Sequence, residues 1–209
     1  MNRMSALTQA RAFTGVLTIV AIGAQLKTTF DAGVLNPVNF FSYFTIQSNL
    51  IGAVVLLYLA VRGGALRSGR VDWWRGAACV YLTVTFFVVI VLLKETDVGL
   101  QLPWVDVVLH KLVPVVVVAD YLIDPPTTRL SISDGLLWLV YPLAWLGYTM
   151  IRGPIAEWYP YPFLDPADGG YGPVAVTVVA ILVAGAALCA AFVWFGNMRR
   201  GSRSPTAPA

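Results

Sequence analysis

The stretch "NFFSYFTIQSNLIGAVVLLYLAV", residues 39–61, decides how the chain is read. Its second half is a nearly unbroken apolar run of the kind that crosses a bilayer, for which about 20 residues are needed. Its first half sets Asn39, Ser42, Thr45, Gln47, Ser48 and Asn49 where lipid is expected. Polar groups inside a span are costly and tend to mark function. Ser42, Thr45 and Asn49 follow at spacings of three and four, which places them on one helical face, and Gly52 continues it. A packing account stands beside the functional one: Ser and Thr bond back to their own helix, and Asn bonds across to a neighbour.

The rest of the chain has the same character. Of 209 residues, 58% are hydrophobic and 12% charged, against roughly a quarter charged in soluble domains. Mean hydropathy is +0.73. Three Lys against eleven Arg, with much Ala and Val, suggest a GC-rich bacterial genome and hence the bacterial cytoplasmic membrane. Cys79 and Cys189 lie in apolar runs, as small fillers do. A single histidine, His110, excludes a bis-histidine haem or a multi-histidine metal site within one chain. No metal or cofactor is expected.

Six apolar segments are long enough to span, at roughly 11–29, 40–61, 74–93, 104–123, 133–152 and 172–196. The first shares features with a signal peptide, but a retained helix fits an even, short-looped bundle better. Arg3, Arg11, Arg62, Arg67, Arg70, Arg75, Arg129, Arg199, Arg200 and Arg203 fall on one side, and Lys27, Lys94 and Arg152 on the other. Positive charge stays in the cytoplasm, so both termini are expected there. The net charge of +3 then reflects topology and not nucleic-acid binding. The expected organisation is an all-α integral membrane protein: a six-helix transmembrane domain over 1–198 and a flexible cytoplasmic tail over 199–209. An outer cap over 154–171 is rich in Pro and aromatics. Such irregular backbone must fold over protein or water; either Tyr159, Tyr161 and Asp165 dip inward toward Thr45 and His110, or the aromatics form an interfacial belt.

Span 4 reads "WVDVVLHKLVPVVVVADYLI", residues 104–123. Asp106 and His110, four apart, share a face; Lys111 points about 100° away, either snorkelling outward or lining the same cavity. Pro114 kinks the helix and frees a carbonyl near His110. Asp120 lies nearer the cytoplasmic end, where it pairs most easily with loop arginines. At about 1.5 Å per residue, Thr45 lies roughly 7–8 Å below the outer face and His110 roughly 9–10 Å. A hydroxyl and an imidazole at one depth can meet.

Such a pair has a chemistry. A hydroxyl becomes a nucleophile when an adjacent base takes its proton, and a third group orients the base. Asp106 is the candidate for that third group. Asn49 and Lys111 are candidates for stabilising a developing oxyanion, and Ser42 for contacting substrate.

Three motifs, "YFTIQSNL" (43–50), "HKLVPVVVVAD" (110–120) and "WYPYPFLD" (158–165), occur in an order that resembles the androgen-induced-gene family of six-span transmembrane threonine hydrolases. Animal members cleave fatty acid esters of hydroxy fatty acids. The resemblance covers spans 2 to 6 in pattern. It implies Thr45 as nucleophile, His110 as its partner, no cofactor, and a membrane lipid or fatty ester as substrate. Lys111 and a longer turn, "PADGGYG" (166–172), depart from the animal pattern.

Two other classes fit the same residues. A small proton-coupled transporter or ligand-binding membrane protein would use Asp106, His110 and Lys111 as its site, although no inverted repeat is visible. A structural subunit would use the polar face to dock a partner helix.

Overall fold

A computed structural model of the chain describes residues 3–62, 67–93, 102–167 and 169–201. Lys94, Arg203 and most of the expected tail lie outside them. Among the described residues there is helix and no strand. Helix α1 is Arg3–Asp31, α2 Pro37–Ser42, α3 Phe44–Arg62 and α4 Gly69–Leu92. Helix α5, Pro103–Val107, runs through a π-helical turn, Val108–Leu112, into α6, Val113–Ile123. Helices α7, Ile132–Leu137, and α8, Val140–Ala156, precede a 3-10 turn at Pro162–Leu164 and the long α9, Tyr171–Gly201.

Four of these helices are long and apolar enough to cross a membrane: α1, α3, α4 and α9. Their outward faces carry Phe13, Val54, Phe87 and Val183, all more than half exposed, as a lipid-facing surface would. The segments 104–123 and 133–152 are helical but broken, and proline explains both breaks. Within α7–α8 the backbone turns at Trp138–Leu139, closing tighter bonds to Gly135 and Leu136. The residue that would donate to the Trp138 carbonyl in an α-helix is Pro142, which has no N–H. Tyr81 of α4 donates to that carbonyl instead, at 2.8 Å. Trp138 itself is fully buried against Gly76, where an added Cβ would come within 2.2 Å of its ring.

The expectation of one helix through 40–61 also changes. Tyr43 adopts extended backbone, φ −65° and ψ 126°, and separates α2 from α3. Asn36 caps α2 through its side chain, and Pro37 opens it. Ser42 therefore leaves the face shared by Thr45 and Asn49, and Thr45 falls in the first turn of α3, where amides have no partner within the helix.

At one end of the bundle sits a buried ion-pair cluster. Asp120 accepts from Arg11 of α1 at 2.6 Å and Arg75 of α4 at 2.8 Å. Asp124 accepts from Arg11 and Arg67, both at 2.6 Å. Asp72 accepts from Arg67 at 2.7 Å and from the amides and hydroxyls of Thr127 and Thr128. Asp120 thus pairs with two helix arginines, while the loop arginine, Arg67, goes to Asp72 and Asp124. The cluster ties α1, α4 and the end of α6 together. Removing one partner of such a buried pair costs about 3–5 kcal/mol, because the other charge is left stranded.

Candidate active site

Thr45 and His110, 65 positions apart, meet in the structure: Thr45 Oγ1 lies 3.3 Å from His110 Nε2. His110 Nδ1 lies 2.7 Å from Asp106 Oδ1. A carboxylate only accepts, so Nδ1 carries the hydrogen and Nε2 presents its lone pair to Thr45. Both Thr45 and His110 are buried, at 5% and 2% exposure.

The π turn sets the position of His110. Val113 N–H bonds five residues back, to Val108 O. The next donor in that register would come from Pro114, which has none. The Leu109 carbonyl accepts instead from Asn49 Nδ2 at 3.1 Å. Asn49 gives its second amide hydrogen to Thr45 O at 2.9 Å. One side chain thus clamps the backbone beside His110 to the backbone of Thr45. Ser48 adds a bond to Thr45 O and contacts Thr85 of α4.

Tyr161 closes the site from the cap. Its hydroxyl accepts from the Thr45 amide at 3.1 Å and lies 3.2 Å from Thr45 Oγ1. The ring stacks on Phe163 with centroids 5.3 Å apart and meets Tyr43 edge-on. Burial pushes the Tyr161 phenol up to about 12, against the opposing effect of its Thr45 bonds.

The other candidates lie further off. Lys111 is 53% exposed, with Nζ 4.0 Å from Asp106 Oδ2. Ser42 bonds to Val38 O and Tyr148 Oη, and its carbonyl accepts from Trp145. Asp165 accepts from Ala167 N within the cap. Tyr159 packs against Gly153 of α8. The structure brings Thr45, His110, Asp106, Asn49 and Tyr161 together and leaves Ser42, Tyr159 and Asp165 outside that group.

A narrow cleft of about 80 Å³ starts at Thr45 and Tyr161 and runs between α4, α8 and α9, past Val88, Trp145, Leu164 and Ile181. An apolar groove of about 660 Å³ between α4 and α9 shares Val84, Val88 and Ile181 with it. Val91 and Val176, which line the groove, are about 70% exposed (70% and 72%), so it opens on the outside of the bundle. Ser48 and Thr85 were not singled out as site residues by sequence, although each places a hydroxyl inside an apolar helix. Among the described residues no group of His, Cys, Asp or Glu is placed to hold a metal.

No protein-family model, curated protein or solved structure matches the chain.

Proposed function

We propose that the chain is an intramembrane ester hydrolase with Thr45 as nucleophile, His110 as base and Asp106 orienting the imidazole. The observation that carries this reading is the continuous line of contacts from Thr45 Oγ1, which lines an apolar cleft, through both ring nitrogens of the buried His110 to the partly exposed Asp106. His110 Nε2 takes the Thr45 proton as Oγ bonds to the ester carbonyl carbon. The tetrahedral species collapses, the alcohol leaves with that proton, and an acyl-threonine remains. Water then adds to the acyl group, giving a proton to His110; the bond between the carbon and Thr45 Oγ breaks, His110 returns that proton to Oγ, and the acid departs. The cleft between α4, α8 and α9 suits an acyl chain and nothing charged. A fatty ester, such as a fatty acid ester of a hydroxy fatty acid, is the substrate class this reading implies.

In the same reading the chain crosses the membrane six times. The α5–α6 and α7–α8 stretches supply the two crossings beyond α1, α3, α4 and α9. Both termini lie in the cytoplasm of a bacterial cell, on the side of the ion-pair cluster and of Arg62, Arg70, Arg129 and Arg199. Thr45 then opens toward the outer leaflet, and lipid enters sideways.

The test is purified protein in detergent, offered a panel of fatty esters and a fluorophosphonate probe. Thr45→Ala is expected to abolish both covalent labelling and turnover. Labelling that persists undiminished in Thr45→Ala rejects Thr45 as nucleophile. Proton-dependent solute uptake into proteoliposomes without ester turnover would favour the transporter class.

A further inference from the structure

The proposed reaction needs hydrogen-bond donors for the oxyanion that forms on the ester carbonyl, and this inference rests on that reaction. The polar groups around Thr45 are largely committed. Asn49 spends both amide hydrogens on Thr45 O and Leu109 O. Trp145 Nε1 donates to Ser42 O, and Thr85 Oγ1 to Tyr81 O. Lys111 is half exposed, and neither it nor His110 lines the cleft. Tyr161 does line it, beside Thr45.

The direction of the hydrogen bonds singles out Tyr161. The Thr45 hydroxyl, to be activated, points its hydrogen at His110 Nε2. The Thr45 amide already donates to Tyr161 Oη. The phenolic hydrogen is therefore left to point at Thr45 Oγ1, 3.2 Å away. A phenol that donates to the attacking oxygen needs only a small rotation of its O–H to follow charge onto the neighbouring carbonyl oxygen. The Thr45 amide belongs to the first turn of α3, where backbone N–H groups and the helix dipole favour negative charge.

We propose that Tyr161 Oη and the Thr45 backbone N–H together form the oxyanion site of this hydrolase. As Thr45 Oγ bonds to the carbonyl carbon, the π pair moves onto the carbonyl oxygen, which accepts from both donors while each keeps its proton; the Thr45 amide exchanges its bond to Tyr161 Oη for one to the oxyanion, both acceptors lying beside the same N–H. On collapse the pair returns to the C=O bond and the carbon–alcohol bond breaks. The alcohol oxygen takes the proton that His110 received from Thr45. Stacking on Phe163 and the edge contact with Tyr43 hold the phenol in place before substrate arrives, which is what lets such a donor act without reorganising.

The experiment compares unaltered protein, Tyr161→Phe, Phe13→Leu and Thr45→Ala on one fatty ester and on a trifluoromethyl ketone that mimics the tetrahedral species. Tyr161→Phe keeps the ring and loses one oxygen. It is expected to lower kcat about 100-fold or more with KM little changed, and to weaken the ketone in parallel. Phe13→Leu, on the exposed face of α1 and away from the cleft, is expected to stay within about threefold, since no donor and no support of the phenol is lost. Tyr161→Phe within about threefold of the unaltered protein, alongside an inactive Thr45→Ala, overturns the oxyanion assignment and leaves the hydrolase reading standing. An active Thr45→Ala overturns both. If Tyr161→Phe does not fold, the unaltered protein decides: an oxygen ester cleaved about 100-fold faster than its thiono counterpart supports the site, and equal rates overturn it.

Discussion

Asp106 illustrates how much a single residue decides in this site. It lies one turn before His110 and is partly exposed, yet its Oδ1 is 2.7 Å from the ring nitrogen that faces away from Thr45. That contact selects the tautomer with a bare Nε2. Asp106→Asn is expected to lower kcat by at least about 100-fold, because the amide can donate to Nδ1 and so favours the wrong tautomer. Melting temperature should change little, since the Asp106 side chain is 37% exposed. A pH–rate profile checks the same role: turnover falls on the acid side as the imidazole protonates. On the alkaline side Tyr161, held up to about 12 by burial, remains a donor.

At the scale of elements, Pro114 and Pro142 matter more than the helices around them. Each removes a donor, and each carbonyl so affected receives a hydrogen from a side chain on another helix: Leu109 O from Asn49, Trp138 O from Tyr81. Proline thus converts a local helix irregularity into a specific contact between helices. Pro114→Ala returns the missing N–H and lets the π turn relax toward α geometry, which would rotate His110 relative to Thr45. The expected outcome is a loss of turnover of at least about tenfold with thermal stability equal or raised, since proline is unfavourable within helices. Activity kept at the parent level would show that the π turn does not position His110. The break at Tyr43 acts in the same way on the opposite partner. It ends α2, starts α3, and so puts Thr45 where its own amide is available.

At the scale of the whole molecule, the chain has a polar site near one end and an ion-pair cluster near the other. The cluster links the first helix to the middle of the sequence, so it bears on stability as a unit. Burial alone would raise the Asp124 carboxyl, but bonds and charge from Arg11 and Arg67 hold it down to about 2. A carboxylate with a lowered folded value adds stability that is fully present above about 3.8 and is lost as pH falls toward 2. The gain is on the order of 2 kcal/mol at neutral pH. Asp124→Asn is therefore expected to melt earlier at pH 7 and to lose much of the parent's dependence on pH between about 5 and 2 in detergent. An unchanged acid profile would show that the cluster does not contribute through Asp124.

The amino-acid sequence by itself determined that this is a helical membrane protein and which helices carry its expensive polar residues. Hydropathy and periodicity are local properties, and the cost of a polar group in lipid is legible wherever it occurs. The expectation that Thr45 and His110 share a depth rested on unbroken helices, whereas the structure breaks one at Tyr43 and widens the other to a π turn. Tertiary structure alone decided the rest: the end of α2 at Tyr43, Asn49 as a clamp, Ser42 drawn away to Tyr148, and Tyr161 brought over Thr45 from 116 positions away. Those outcomes depend on which donor fills a carbonyl or amide left empty by a proline or a helix end. The donor comes from another part of the chain, so no window of sequence contains both halves of the bond.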